Sequence, residues 1–171
     1  MDINTQRLHY LTDGMSDNVS TMYSSCEAIE TLLPQCDIVV GTVLITGAKA
    51  PKLITRKMLK LMKKGSVLVD VSIDQGGCFE SSHATTHSQP TFVEEGIVHY
   101  CVANMPGAYP RTSTYALTNA TLFYVSALAR YGAEDICSEL PIMASALNTY
   151  DGVLYNTAVG EAHGIASTIF D

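Results

Sequence analysis

Positive charge is scarce in this chain. Lysine and arginine number 10 against 17 aspartates and glutamates, a formal net charge of -7. An acidic chain has no electrostatic reason to bind phosphate backbones, so the balance argues against a nucleic-acid partner. Charge of either sign is thin, at 16% of residues, where about a quarter is usual. With 47% hydrophobic residues, disorder is excluded for the chain as a whole. The thin charge also implies that part of the surface is covered by something else. The five cysteines, Cys26, Cys36, Cys78, Cys101 and Cys137, are odd in number and none stands at C-x-x-C spacing. That argues against a disulfide framework and a structural zinc site. Cys36 and Cys101 lie beside or inside apolar runs, where a reduced thiol acts as a small hydrophobe. A reducing, cytoplasmic compartment is expected. The start, Met-Asp-Ile-Asn-Thr-Gln-Arg, has no apolar core of a secretory signal. No apolar run approaches the length of a bilayer span, so no membrane partner is expected.

What is present is an alternation of short apolar runs and amphipathic stretches. The 171 residues suffice for one domain with a sizeable core. Leu8 and Leu11, after Asn4 or Thr5 as a cap, predict a short helix. Val19 to Tyr23 reads as a strand. Ser24 or Ser25 caps a helix carrying Ala28, Ile29, Leu32 and Leu33, ended by Pro34. Asp37 to Val40 is a strand running into Gly41. Thr55 caps a helix with Met58, Leu59 and Met62 on one face, and Lys63-Lys64-Gly65 supplies its end. Val67 to Val71 is a strand without alternation, which predicts two buried faces. Ile97 to Ala103 is another strand. Ala116 to Tyr131 predicts a packed helix ending at Gly132, and Glu139 to Leu147 a shorter one. Strands alternating with helices predict an α/β layout with a largely parallel sheet. Gly76 to Gly96 has no clear period, and so long a stretch is more often functional.

In such sheets ligands bind outside the carboxyl ends of the strands. Three segments stand there: Gly41-Thr42-Val43-Leu44, Ser72-Ile73-Asp74-Gln75-Gly76-Gly77 and Asn104-Met105-Pro106-Gly107. Gly41 would let a backbone approach a ligand. Asp74 is a carboxylate at a strand end beside two glycines. Each also has a plainer use: a turn at Gly41, an Asx-turn at Asp74, a left-handed turn at Asn104. Together the three form a plausible cofactor cleft. A dinucleotide-binding fold carries G-x-G-x-x-G and, about 20 residues on, an acidic ribose ligand. Here Asp2 has no glycine-rich loop before it, and a solvated or capping carboxylate remains its alternative. His87, His99 and His163 are acid–base candidates beside His9 and His83. His83 and His87 stand at H-x-x-x-H spacing, but in a stretch with no helical period, so no metal is expected. His99, inside an apolar strand, fits a core histidine with its N–H satisfied. Ser81-Ser82-His83 and Thr85-Thr86-His87 lack the strand–turn–helix setting of a nucleophile elbow.

Several runs are familiar as they stand. They are Leu44 to Pro51 (LITGAKAP), Val69 to Glu80 (VDVSIDQGGCFE) and His99 to Gly107 (HYCVANMPG), with Pro110 to Thr114, Ala116 to Thr121 and Leu147 to Gly152. Over Asp2 to about Gly164 the chain resembles the L-alanine dehydrogenases. Transhydrogenase α-type chains share the Asp-Gln-Gly-Gly turn but not the His99 to Gly107 run. The resemblance implies an α/β fold: a partial Rossmann-type doubly wound parallel sheet over residues 1–108, its first strands missing. A C-terminal helical segment, 109–171, would return to the catalytic domain. It implies NAD as cofactor, L-alanine and pyruvate with ammonium as substrates, and a homo-oligomer, a hexamer in the family. Carried over by residue, Asp2 is the adenosine ribose carboxylate, Arg7 a basic neighbour of the adenosine and Ser24 a contact on the adenine side. Val43 and Leu44 contact the cofactor. Val71, Ser72, Ile73 and Asp74 line the nicotinamide side, Asp74 being the catalytic carboxylate. Val102, Asn104 and Met105 complete the loop. His83 stands where the family usually has arginine.

The resemblance also implies absences. The glycine-rich loop is not in this sequence. Nor are the segment that supplies a catalytic histidine and the lysine and arginine that hold the substrate. In strand order 3-2-1-4-5-6, loss of the first two strands parts the third from the fourth and leaves exposed edges. The sequence therefore reads as the C-terminal part of an alanine dehydrogenase, partnered in a homo-oligomer or by a complementing N-terminal half. A non-catalytic interaction module and a relic are the alternatives.

Overall fold

The structure is a computed structural model that describes residues 1–45 and 48–170. Thr46 and Gly47 of the LITGAKAP run lie outside it. The chain divides into two units, Met1–Val43 with Ala50–Ala103, and Leu44–Lys49 with Asn104–Asp171.

In the first unit, α1 spans Thr5–Gly14 and α2 spans Cys26–Leu32. Both begin where the sequence places a capping side chain. Asn4 Oδ1 accepts from the Arg7 N–H at 3.0 Å, and Ser25 Oγ from the Ala28 N–H at 3.1 Å. Each bond satisfies one of the orphan donors of a helix start. Pro34 cannot extend α2, and the chain tightens into a 3-10 turn, Leu33–Gln35. The expected helix after Thr55 is only a 3-10 turn, Met58–Leu61. Met58 and Leu59 are buried there, so one short turn already places the apolar side chains that a longer helix was expected to carry.

The sheet holds β1 (Ile38–Gly41), β2 (Val67–Asp70), β3 (Thr91–Glu94) and β4 (Ile97–Tyr100) in the order β1-β2-β4-β3. β1, β2 and β4 run parallel, and β3 pairs antiparallel with β4. The fold is α/β with a largely parallel sheet. Leu68 and Asp70 of β2 are fully buried, while Val67 and Val69 are half-buried. β1 forms one edge of this sheet, with Ile38 and Val40 exposed. The core gathers Leu33, Ile54, Met58, Leu59, Leu68, Phe79 and Ile97. Each such side chain contributes roughly 1.5–3 kcal/mol on burial.

Three expectations are corrected here. Val19 to Tyr23 is not a strand; only Tyr23 pairs, through a single bridge to Asp2. β4 stops at Tyr100, and Val102 instead bridges Thr85. Gly76 to Gly96 is not structureless, since it contains β3. Glu95 and Gly96 join β3 to β4 with φ of 52° and 81°, the left-handed pair of a two-residue hairpin turn.

In the second unit a 3-10 turn, Met105–Ala108, leads to α3 (Pro110–Tyr131), which ends at Gly132. α4 (Ala133–Glu139), α5 (Pro141–Ala146) and α6 (Thr157–His163) follow. The short helix expected over Glu139 to Leu147 is α5 alone, because Leu140 is extended at φ -127° and ψ 98°. Between α5 and α6, β5 (Thr149–Tyr150) and β6 (Val153–Leu154) form a hairpin. α3 is not the packed helix the sequence predicts: none of its residues is buried, and Leu117, Leu122, Phe123 and Val125 are exposed. Among the described residues no helix is long and apolar enough to cross a membrane.

Candidate functional site at the strand ends

Parallel pairing of β1, β2 and β4 puts their carboxyl ends on one edge of the sheet. A 3-10 turn, Val71–Gln75, follows β2 directly. Ser72 Oγ donates to the Val43 carbonyl at 2.8 Å and ties this turn to the segment after β1. Two residues expected to act together are thus bonded. Val71 and Asp74 are exposed on the turn, whereas Ser72 and Ile73 are buried. Val102 is fully buried, backbone included. The turn ends in Gly76 and Gly77, with φ of 87° and 73°. Two successive left-handed residues demand glycine here.

Asp70, the last residue of β2, fixes this edge from below. Its buried Oδ2 accepts from the Cys78 N–H at 2.9 Å and the Phe79 N–H at 3.3 Å, and from the Ser82 hydroxyl. In the sequence Asp70 lies inside an apolar strand and points to no role. The signal was there: a lone carboxylate in a buried strand requires donors. Gly41 is corrected too. A Cβ there would stand 2.2 Å from Cys78 Sγ and 2.7 Å from Phe79 Cζ. Its missing side chain admits the core, not a ligand.

A second group forms at the start of the chain. The Asp2 N–H donates to the Met22 carbonyl at 3.3 Å, and the Ser24 N–H to the Asp2 carbonyl at 3.0 Å. Asp2 Oδ1 accepts from the Asn4 N–H at 2.9 Å, an Asx-turn leading into α1. Through Asn4 the same turn reaches Arg7, whose guanidinium lies 5.0 Å from the Tyr10 ring centroid. Asp2 and Ser24 are therefore neighbours. In the second unit, Leu44 is exposed and Asn104 is left-handed, with φ 52° and ψ 54°. That is the turn role its residue type allows, and it opens the turn that holds Met105.

The family profile described as alanine dehydrogenase/PNT, C-terminal domain, matches residues 1–157. The chain belongs to this family. It is 53% identical to an alanine dehydrogenase of Halomonas elongata over 165 residues, 96% of this chain and 44% of that protein. With an alanine dehydrogenase of Geobacillus stearothermophilus it shares 48% over 169 residues, 98% and 45% of the two chains. A solved L-alanine dehydrogenase superposes with a TM-score of 0.80 at 42% identity, covering 95% of this chain and 45% of that one. A transhydrogenase from Sinorhizobium meliloti gives 0.54 at 28%, covering 63% and 32%. The chain thus spans less than half the length of the relatives it matches.

Within this alanine dehydrogenase-family domain, His99 is a core histidine. Its Nδ1 lies 2.9 Å from the Ile97 carbonyl and its Nε2 2.8 Å from Ser81 Oγ. A carbonyl only accepts, so Nδ1 carries the proton and Nε2 accepts from the serine. Burial holds its pKa below the usual histidine value. His83 is exposed and stacks on Phe92 at 3.8 Å between centroids, with Phe92 stacked in turn on His99 at 4.6 Å. Cys78 Sγ lies 3.5 Å from Asp70 Oδ1. Burial first, and then the Asp70 charge, push its thiol up to about 12. Thiolate is the reactive form. Iodoacetamide at mildly alkaline pH is therefore expected to alkylate the exposed Cys26 and spare Cys78, Cys101 and Cys137 in the native chain. Peptide mass mapping checks this; early labelling of Cys78 would contradict the packing described.

Proposed function

We propose that this chain supplies the nicotinamide side of an enzyme that converts L-alanine to pyruvate and ammonium with NAD. The observation that supports the reading is Asp74, exposed on a turn held by Ser72, Asp70 and two left-handed glycines at the strand ends. NAD, when bound, supplies the hydride acceptor. Asp74 Oδ holds or moves a proton beside the reacting carbon, and Val71, Ser72, Ile73, Val43 and Val102 shape the nicotinamide face. In the second unit, Leu44, Asn104 and Met105 are the proposed cofactor contacts. Asp2, with Arg7 and Ser24, receives the adenosine end.

The residues fit such a cofactor in part. Gln75 Oε1, next in the chain to Asp74, is a buried acceptor without a donor among the described residues. A nicotinamide carboxamide offers N–H donors to an acceptor of that kind. The pyrophosphate has no G-x-G-x-x-G loop in this sequence, so its contacts come from another segment. The exposed apolar residues of α3 support assembly, with further chain or a second copy covering them. Free cysteines support a cytoplasmic setting.

The purified chain alone is expected to form no NADH from L-alanine above blank, because it lacks groups to hold the substrate. A chimera in which it replaces the matched portion of the Halomonas elongata enzyme is expected to turn over. Turnover by the isolated chain would contradict the division of labour. A folded, assembled but inactive chimera would favour a non-catalytic interaction module.

A further inference from the structure

We propose that Lys52 is a positioning residue that sets the place of Asp74 by holding the exit of its turn. The proposal rests on the reading of Asp74 given above. Ala50 to Leu53 runs alongside the turn: the Ala50 N–H donates to the Gln75 carbonyl at 3.0 Å, and the Leu53 N–H to the Cys78 carbonyl at 2.7 Å. Between them, Lys52 Nζ donates to the Gly76 carbonyl at 2.6 Å and to the Gly77 carbonyl at 2.7 Å. The two left-handed glycines bring consecutive carbonyls to one point, and the ammonium occupies it. Charge-assisted bonds of this length are the strong class.

Packing does not hold Gly76. A Cβ there would meet nothing within 4 Å. Its own N–H bonds back to Ile73, and that of Gly77 to Ser72, which fixes the turn internally but not against the rest of the chain. Asp70 anchors the segment just after the glycines, and Ser72 anchors the start of the turn. Lys52 fastens the stretch between, two residues beyond Asp74. A carboxylate that must meet a reacting atom loses rate steeply when displaced, about 10²-fold for about 1 Å.

The test uses Lys52→Met and Lys52→Arg beside Asp74→Asn. In the active chimera, Lys52→Met is expected to lower kcat about tenfold, with KM for alanine and NAD within about twofold. Lys52→Arg, whose fork also reaches two carbonyls, is expected to restore most of the rate. In the isolated chain, hydrogen exchange at the Gly76 and Gly77 amides is expected to quicken in Lys52→Met while the Leu68 amide is unchanged. An unchanged kcat in Lys52→Met while Asp74→Asn is slow overturns the proposal and leaves the proposed function standing. Unchanged rates in both variants overturn both. A loss that Arg does not restore, with a lowered melting temperature, marks a structural role and overturns positioning. If the chimera is inactive, unchanged exchange at Gly76 and Gly77 overturns it as well.

Discussion

Asp74→Asn in the chimera is expected to lower kcat by about 10²–10⁴-fold, the usual range for loss of a general acid–base group. Folding and NAD binding should stay near those of the unsubstituted chimera. Asparagine is nearly isosteric, and Asp74 is exposed, so no core packing is lost. The turn around it is also held by other groups: Ser72 bonded to Val43, and Gly76 and Gly77 in left-handed conformation. An Asx-type brace makes the opposite prediction, a lowered melting temperature with unchanged kcat. Steady-state kinetics and a thermal melt on the same preparation separate the two.

The largest stability effect is expected one turn earlier. Asp70→Ala removes an acceptor that is fully buried and serves the Cys78 N–H, the Phe79 N–H and the Ser82 hydroxyl. Those donors cannot all find water where Cys78 and Phe79 are themselves buried. Hydrogen bonds to a charged group contribute about 1.5–3 kcal/mol, and a buried donor left alone costs about 1–3. The variant should lose about 3–5 kcal/mol, a large share of the roughly 5–15 kcal/mol that holds a typical domain. Urea denaturation of the isolated chain measures it. A loss below about 1 kcal/mol would show that the loop does not depend on Asp70.

Local signals in the sequence match the structure better than tertiary ones. Asn4 and Ser25 announced their helices because capping is a contact within a few residues. β2 and the α/β class were legible from a short apolar run between helical stretches. Both hairpins were missed. Asp151-Gly152 is a strong turn signal, and its φ values of 47° and 75° match it, but β5 and β6 are too short to show a period. Glu95-Gly96 is a weaker form of the same signal. Val19 to Tyr23 failed for another reason. A β-like run becomes a strand only with a partner, and here a single bridge from Asp2 reaches it.

The candidate site was legible where chemistry sits at a strand end, and illegible where it depends on distant pairs. Asp74 stood out beside two glycines. Lys52 did not, because its partners are 24 and 25 residues away. Gly41 was misread because its neighbour across space is Cys78, far along the chain. The plainer use of Asn104 as a left-handed turn and of His99 as a core group both describe the structure. Whether Asn104 also meets a cofactor belongs to the proposal.

The ends of β1 and β2 are proposed to form the nicotinamide side of an NAD site. A crystal structure of the chimera with NAD bound tests it most directly. The nicotinamide ring is expected in contact with Val71 and the Val43 segment, with Asp74 facing its reactive side and a carboxamide N–H on Gln75 Oε1. A nicotinamide ring bound away from the Val71–Gln75 turn, with Gln75 Oε1 still lacking a donor, would contradict it.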